Sequence, residues 1–276
     1  MPELPEVETV RRGLTELVVG KTVKDVIVRY PQIITNDVQD FKEKLKNQKL
    51  EAVNRRGKYL IFKFTDYDML SHLRMEGKYQ LVDSLNHLDK HSHVIFHMTD
   101  DALLSYRDVR KFGRMTLYDK DEAVHSKSIM QLGPEPTEKD FDVNLFSDNL
   151  QKYHKAIKLI LLEQKVVTGL GNIYVDEVLF KSGIHPLRAA NSLSKQETKV
   201  LHDNIISTLD LAIKHKGTTI RSYENAFGEN GNYQNYLEVY GQDGEPCPHC
   251  GTMIEKIKVG GRGTHFCPNC QQLGDD

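Results

Sequence analysis

Four cysteines near the end of the chain constrain its folding more than any other feature. Cys247, Cys250, Cys267 and Cys270 spell C-x2-C-x16-C-x2-C, the spacing at which two tight turns can close four thiolates into a tetrahedron around zinc. Four sulfur ligands leave no open position for water or substrate, so the spacing predicts one structural zinc ion and not a catalytic one. No other cysteine occurs in the 276 residues, which fits a reducing, cytoplasmic compartment and leaves no disulfide framework elsewhere. Between the pairs lie Lys256, Lys258 and Arg262, with Gly260, Gly261 and Gly263 around the arginine. That segment suits a two-stranded ribbon offering an arginine to a phosphate; a solvated turn with an incidental arginine fits it as well.

The rest of the chain reads as two differently built parts, an α+β protein. Short β-branched and aromatic runs at 23–30, 59–65, 93–98, 102–106 and 115–118 alternate with turn residues, as in an antiparallel β-sandwich. A helix with Pro5 in its first turn precedes them, and a second is expected over 37–45. Residues 119–148 carry eight acidic residues against three lysines, together with Pro134 and Pro136, and read as a connection between domains. Helical periodicity follows at 153–164, 173–182 and 195–215, the last opened by a Ser194 and Glu197 capping box. The expected division is 1–133, 134–240 with a loop over about 217–234, and 241–276 for the cysteine module.

No apolar run approaches the ~20 residues of a membrane span. The opening MPELPEVETV has glutamates where a secretory leader would have basic and then apolar residues. Those first residues also carry possible chemistry. Removal of Met1 would expose Pro2 as a secondary amine, and an α-amino group with a reference pKa of ~7.7–8.0 is partly unprotonated near neutrality. Such an amine attacks carbonyl-level carbon and gives a cationic iminium that makes the neighbouring C–H acidic, with Glu3 next to it as acid and base. Taken alone, those two residues more often mean only a chain that happens to start Met-Pro.

Six motifs, in order along the whole chain, separate these readings. They are Pro2 to Thr9, Arg56-Gly57-Lys58-Tyr59-Leu60, His72 to Gly77, Tyr106 to Gly113, Gly169 to Glu177, and the four-cysteine module. Together they resemble the formamidopyrimidine-DNA glycosylase and endonuclease VIII family, on its formamidopyrimidine side. The resemblance implies an N-terminal β-sandwich with flanking helices, a helix-two-turn-helix domain and a zinc finger. It also implies a monomeric base-excision repair enzyme, glycosylase and AP lyase, that removes 8-oxoguanine and formamidopyrimidines from double-stranded DNA. In the family pattern Pro2 attacks C1′, Glu3 assists proton transfer at the sugar, and β,δ-elimination cuts the strand. Lys58 matches a lysine beside the nucleophile, although a solvated basic residue would fit that position taken alone. Glu6 matches a second acidic position, or serves as a partner of the helix dipole or a structural buttress.

Met75, Arg110 and Phe112 match the set that fills the space left by an everted nucleotide and contacts the orphaned cytosine. Judged by residue type alone, Met75 and Phe112 would more often be core residues, so their assignment rests on the motif match. Asn172, behind Gly169 and Gly171, matches a phosphate contact at a helix N-terminus, where a plain N-cap is the ordinary alternative. Arg262, Tyr240 and Lys256 match further backbone contacts. Ile220, Arg221, Ser222 and Tyr223 fall where relatives read the everted base, in a stretch whose form departs from the family pattern. Two other functions stay in view: an endonuclease VIII-type enzyme for oxidised pyrimidines, and a damaged-DNA binding protein without chemistry. The formal charge of −2 excludes a uniformly basic protein but not a local basic face, because the acidic 119–148 stretch offsets the basic residues of 107–114 and of the finger. The expected location is the cytoplasm, at the bacterial nucleoid.

Overall fold

A computed structural model describes residues 1–218 and 231–273. The chain forms two compact units, Met1–Met130 with His215–Asn232, and Gln131–Lys214 with Tyr233–Asp276.

In the first unit α1 (Leu4–Val18) starts with Pro5 in its first turn and buries Val7, Val10, Leu14 and Val18, which recur at helical spacing. After β1 (Val23–Val28), the Asp37 side chain caps α2 (Val38–Leu45) by accepting from the Asp40 N–H at 2.9 Å. The strands β2 (Leu50–Arg56), β3 (Tyr59–Phe64), β4 (Tyr67–His72), β5 (Lys78–Val82), β6 (Ser92–Met98), β7 (Leu103–Arg107) and β8 (Arg114–Asp119) follow, and then the short α3 (Lys127–Met130). They make two antiparallel four-stranded sheets, ordered β1-β6-β7-β5 and β2-β3-β4-β8. Phe62, Tyr79, Phe96 and Tyr106 belong to the core they share with α1.

Three of these strands, β2, β4 and β5, are absent from the apolar-run reading. In β4 the reason is that Asp68 and Ser71 are fully buried: Asp68 Oδ2 accepts from the Lys63 ammonium at 2.7 Å and the Asp121 N–H at 3.0 Å, and the Ser71 hydroxyl meets the Tyr79 hydroxyl at 2.7 Å. The register of this sandwich prepares the site. His72 of β4 pairs with Arg114 of β8 in one sheet, and Lys78 of β5 pairs with Arg107 of β7 in the other. The crossovers at 73–77 and 108–113 therefore leave one sheet and enter the other side by side, at the same end.

The second unit holds α4 (Val143–Leu150), α5 (Ile157–Leu162), α6 (Asn172–Lys181) and α7 (Lys195–Lys214), then the hairpin β9 (Glu255–Val259) and β10 (Arg262–Phe266). In α7 Leu201, Ile205, Leu209 and Ala212 are buried as their spacing requires. Ser194 and Glu197 exchange backbone-to-side-chain bonds of 2.8 and 3.2 Å at its start. The helix expected over 153–164 is shorter, because the backbone at Tyr153, Lys155 and Ile157 is bonded to the segment Arg188–Asn191. The acidic stretch is also more than a connection: Asp142 caps α4, and Phe141 and Phe146 enter the core of this unit.

Candidate active site and nucleic-acid interface

In the first unit Pro2 and Glu3 precede α1, at the positive end of its dipole. Both are buried, Glu3 to 2% exposure. The Glu3 N–H donates to Glu6 Oε2 at 2.8 Å. The other Glu6 oxygen accepts from the Thr218 N–H at 2.8 Å and the Thr218 hydroxyl at 3.2 Å. Glu6 is thus a structural buttress that ties the start of α1 to residue 218. Gly217 has φ +75°, and a Cβ there would lie 2.6 Å from Glu6 Oε1, so the contact requires glycine.

Lys58 lies in the β2–β3 turn behind Gly57, whose φ is +55°. It is buried, with 6% exposure, and not a solvated cation. Arg55 fastens the turn: its Nη1 donates to the Gly57 carbonyl at 2.9 Å and its Nε to Glu8 Oε2 at 3.1 Å. Tyr59, which follows Lys58, pairs with His72 across the sheet, and their rings meet edge to face at 4.5 Å. Burial first, then the charges of Arg74 and Lys58, push the His72 pKa down to about 3, so its ring is neutral. Its Nδ1 accepts from the Arg74 N–H at 2.9 Å, which fixes the turn leading to Met75.

Met75 lies in one of the two adjacent crossovers, and Arg110 and Phe112 in the other. Met75 is half-buried and Phe112 is 48% exposed, so Phe112 is not a core residue. The Arg110 guanidinium stands 4.9 Å from the Phe112 ring centroid. Pro2 and Glu3 lie at the start of α1, which packs on β2; the sandwich register places Lys58, Met75, Arg110 and Phe112 at one end.

In the second unit Asn172 is the first residue of α6, with Gly171 at the N-cap. Its Nδ2 donates to the Gly263 carbonyl at 2.9 Å, placing the helix start against the residue that follows Arg262. Arg262 is exposed at the beginning of β10, beside the Gly260–Gly261 turn, so the ribbon with an arginine at its tip is present. Beneath it the Lys158 ammonium is fully buried, 2.6 Å from Asp176 Oδ1 and 2.7 Å from the Thr264 hydroxyl. Asp176 Oδ2 accepts from the His265 N–H at 3.0 Å. Tyr240 packs edge-on against His265, and its N–H donates to Glu177 at 2.8 Å; Lys256 pairs with Asp243 at 3.2 Å.

The four cysteine sulfurs all lie within 4.8 Å of one another, with Cys247–Cys270 at 3.8 Å and Cys250–Cys267 at 3.5 Å. Tetrahedral zinc with Zn–S of about 2.3 Å places its sulfurs about 3.8 Å apart. The donor set and its spacing fit one structural zinc ion. Ile220, Arg221, Ser222 and Tyr223 lie outside the described residues.

Arg55, His72 and Lys158 were not anticipated from the sequence. Lys158 carried a signal, a single charge inside the apolar run Ile157 to Leu162, which calls for a buried partner.

Comparison with known proteins places this geometry. Residues 1–115 match the formamidopyrimidine-DNA glycosylase N-terminal domain, 132–224 the formamidopyrimidine-DNA glycosylase H2TH domain, and 244–273 the zinc finger found in FPG and IleRS. The formamidopyrimidine-DNA glycosylase of Enterococcus faecalis is 56% identical over 274 residues, covering 99% of this chain and 98% of that protein. The chain belongs to the formamidopyrimidine-DNA glycosylase family. The family member from Ligilactobacillus salivarius is 54% identical, with 98% and 99% covered. Lactococcus lactis Fpg, solved with DNA containing N7-benzyl-Fapy-dG, is 48% identical and superposes with a TM-score of 0.93 over 98% of this chain and 100% of that one. The same protein solved with abasic-site DNA gives a TM-score of 0.94 at 48% identity, with 98% and 99% covered. Family membership accounts for the sandwich, the helical unit and the zinc finger together.

Proposed function

We propose that this chain is a base-excision repair DNA glycosylase and AP lyase that removes oxidised purines, 8-oxoguanine and formamidopyrimidines, from double-stranded DNA. The observation that carries this reading is the full-length likeness to Lactococcus lactis Fpg bound to Fapy-dG and abasic DNA, joined to a buried Pro2, Glu3 and Lys58.

In the full chain the Pro2 nitrogen is in a peptide bond with Met1, so activity requires removal of that methionine. The freed secondary amine attacks C1′ as the oxidised base leaves. Glu3 delivers a proton to the sugar ring oxygen, and the ring opens to an iminium. Lys58, held by the Arg55-fastened turn, assists departure of the base. The iminium acidifies C2′–H, so β-elimination expels the 3′ phosphate and δ-elimination the 5′ phosphate. Met75 and Phe112 fill the space vacated by the everted nucleotide, and Arg110 donates to the orphaned cytosine. Asn172, Arg262, Tyr240 and Lys256 hold backbone phosphates, and Ile220, Arg221, Ser222 and Tyr223 read the everted purine. The zinc ion supplies no step; it folds the hairpin that bears Arg262. The enzyme acts as a monomer in the cytoplasm, at the nucleoid where its substrate lies.

Borohydride reduction with DNA containing 8-oxoguanine opposite cytosine, followed by mass mapping, tests this. A covalent adduct on Pro2 is expected; no adduct, or one on Lys58, refutes the mechanism. Thymine glycol DNA in the same assay separates oxidised purines from oxidised pyrimidines, and faster excision of 8-oxoguanine is expected.

A further inference from the structure

The crossover carrying Arg110 and Phe112 is exposed along its tip, with Val109 at 45% and Lys111 at φ +60°. Such a tip has little apolar burial to fix its shape. Its anchor is Asp108, which is fully buried. The Asp108 N–H donates to the His91 carbonyl at 3.0 Å, and its own carbonyl is 2.8 Å from His93 Nε2. Oδ1 accepts from the Arg110 N–H at 3.0 Å, and Oδ2 from the Gly113 N–H at 2.8 Å and, at a longer 3.4 Å, from the Tyr106 hydroxyl. One carboxylate therefore fastens both ends of the loop.

Tyr106 extends the arrangement to the neighbouring crossover. A Cβ at Gly113 would lie 1.6 Å from its hydroxyl oxygen, and one at Gly77 would lie 2.3 Å from it. The hydroxyl thus sits against both glycines, and Gly77 closes the crossover that carries Met75, its N–H donating to the Leu73 carbonyl at 3.0 Å.

We infer that Asp108, acting with Tyr106, is a positioning residue that sets discrimination of the base opposite the lesion from beneath the loops that meet the DNA. The inference rests on the reading of Arg110 as the donor to the orphaned cytosine. Asp108→Asn keeps the volume but turns one acceptor into a donor facing the Gly113 N–H or the Arg110 N–H. The loop then loses one of its fastenings.

The test is single-turnover excision of 8-oxoguanine opposite cytosine and opposite adenine, with Arg110→Gln alongside and thermal unfolding as the check of folding. Loss of a charged hydrogen bond that aims Arg110 is expected to lower the cytosine-to-adenine rate ratio of D108N about tenfold, toward that of R110Q. Cleavage of a pre-formed abasic site in single-stranded DNA, which has no opposing base, is expected to change less than about twofold. A ratio unchanged from the parent, or equal losses on all three substrates, overturns the inference. A ratio unchanged in R110Q refutes instead the role given to Arg110. If D108N does not fold, Asp108→Ser takes its place: its hydroxyl reaches the Arg110 N–H in a local turn but not Gly113, and the same outcomes decide.

Discussion

Glu8 and Arg55, 47 residues apart in the chain, meet with Oε2 3.1 Å from Nε. The same guanidinium holds the Gly57 carbonyl at 2.9 Å. The pair therefore joins the helix that begins behind Pro2 and Glu3 to the turn that delivers Lys58. Arg11 and Arg12 complete the cluster at 2.8 and 2.9 Å from the Glu8 carboxylate.

Arg55→Met removes both bonds while retaining bulk. If Lys58 assists base departure, excision of 8-oxoguanine should fall about tenfold while cleavage of a pre-formed abasic site falls less than about twofold. Arg55→Lys should recover only part, since an ammonium cannot match the fork that reaches Glu8 and Gly57 together. Equal losses on both substrates in single-turnover assays would count against the link to Lys58.

Glu8 also predicts a pH dependence of stability. Burial raises its pKa, but hydrogen bonds from Arg11 and Arg12 and the charges of Arg11 and Arg55 outweigh burial and hold it at about 2, against an ordinary 4.5. A lowered carboxylate pKa contributes stability above the unfolded value, and the contribution fades as pH falls from about 4.5 toward 2. Glu8→Gln should cost about 1–2 kcal/mol at pH 7, with solvent screening taken into account, and the difference should narrow by about pH 3. Urea unfolding at the two pH values checks this, and a pH-independent difference would contradict it.

His72 should stay neutral through the working pH range. Its pKa of about 3 means that the folded protein takes up no proton there as pH falls through 6.5, whereas the unfolded chain does, so this residue lowers stability in acid. Nitrogen-15 NMR of the imidazole should show an unprotonated Nδ1 and a protonated Nε2 from pH 8 to pH 5. A titration midpoint near 6.5 would refute the assignment.

Lys158→Met leaves Asp176 buried without its cation. Breaking one side of such a pair costs about 3–5 kcal/mol. Denaturant unfolding should show that loss, and added salt should leave the parent's contribution almost unchanged, because buried pairs are poorly screened. A loss below about 1 kcal/mol, typical of an exposed pair, would show the site to be hydrated.

Metal analysis of protein purified without chelator should find about one zinc per chain. Stripping it, or changing Cys250 to Ser, should unfold the β9–β10 hairpin and weaken DNA binding measured by fluorescence anisotropy. Full affinity after complete zinc loss would refute a role for the finger in binding.

The features legible in the sequence are those that depend on local spacing. The cysteine module, the capping box before α7 and its buried Leu201, Ile205 and Leu209 follow from intervals along one segment. Features set by distant partners were not legible. Asp68 within β4 opposes the usual apolar signal, and its partners, Lys63 across the sheet and the Asp121 N–H, explain it. Phe112 has the composition of a core residue and is half exposed, because Asp108 and Gly113 turn its loop outward. The 119–148 stretch suggested a tether by its charge, yet Asp142 spends its carboxylate on a helix cap while Phe141 and Phe146 supply core.

The contacts beneath the zinc finger bear on how such proteins can be rearranged. Cys247 and Cys267 share a buried cluster with Phe180 of α6, and Gly263, Thr264 and His265 meet the polar groups of Asn172, Lys158 and Asp176. The surface that sets Arg262 is therefore not carried by the finger alone. Cut away, the finger would leave a lysine and an aspartate facing a missing neighbour; grafted onto a foreign scaffold, it would keep its metal but lose the surface that aims Arg262.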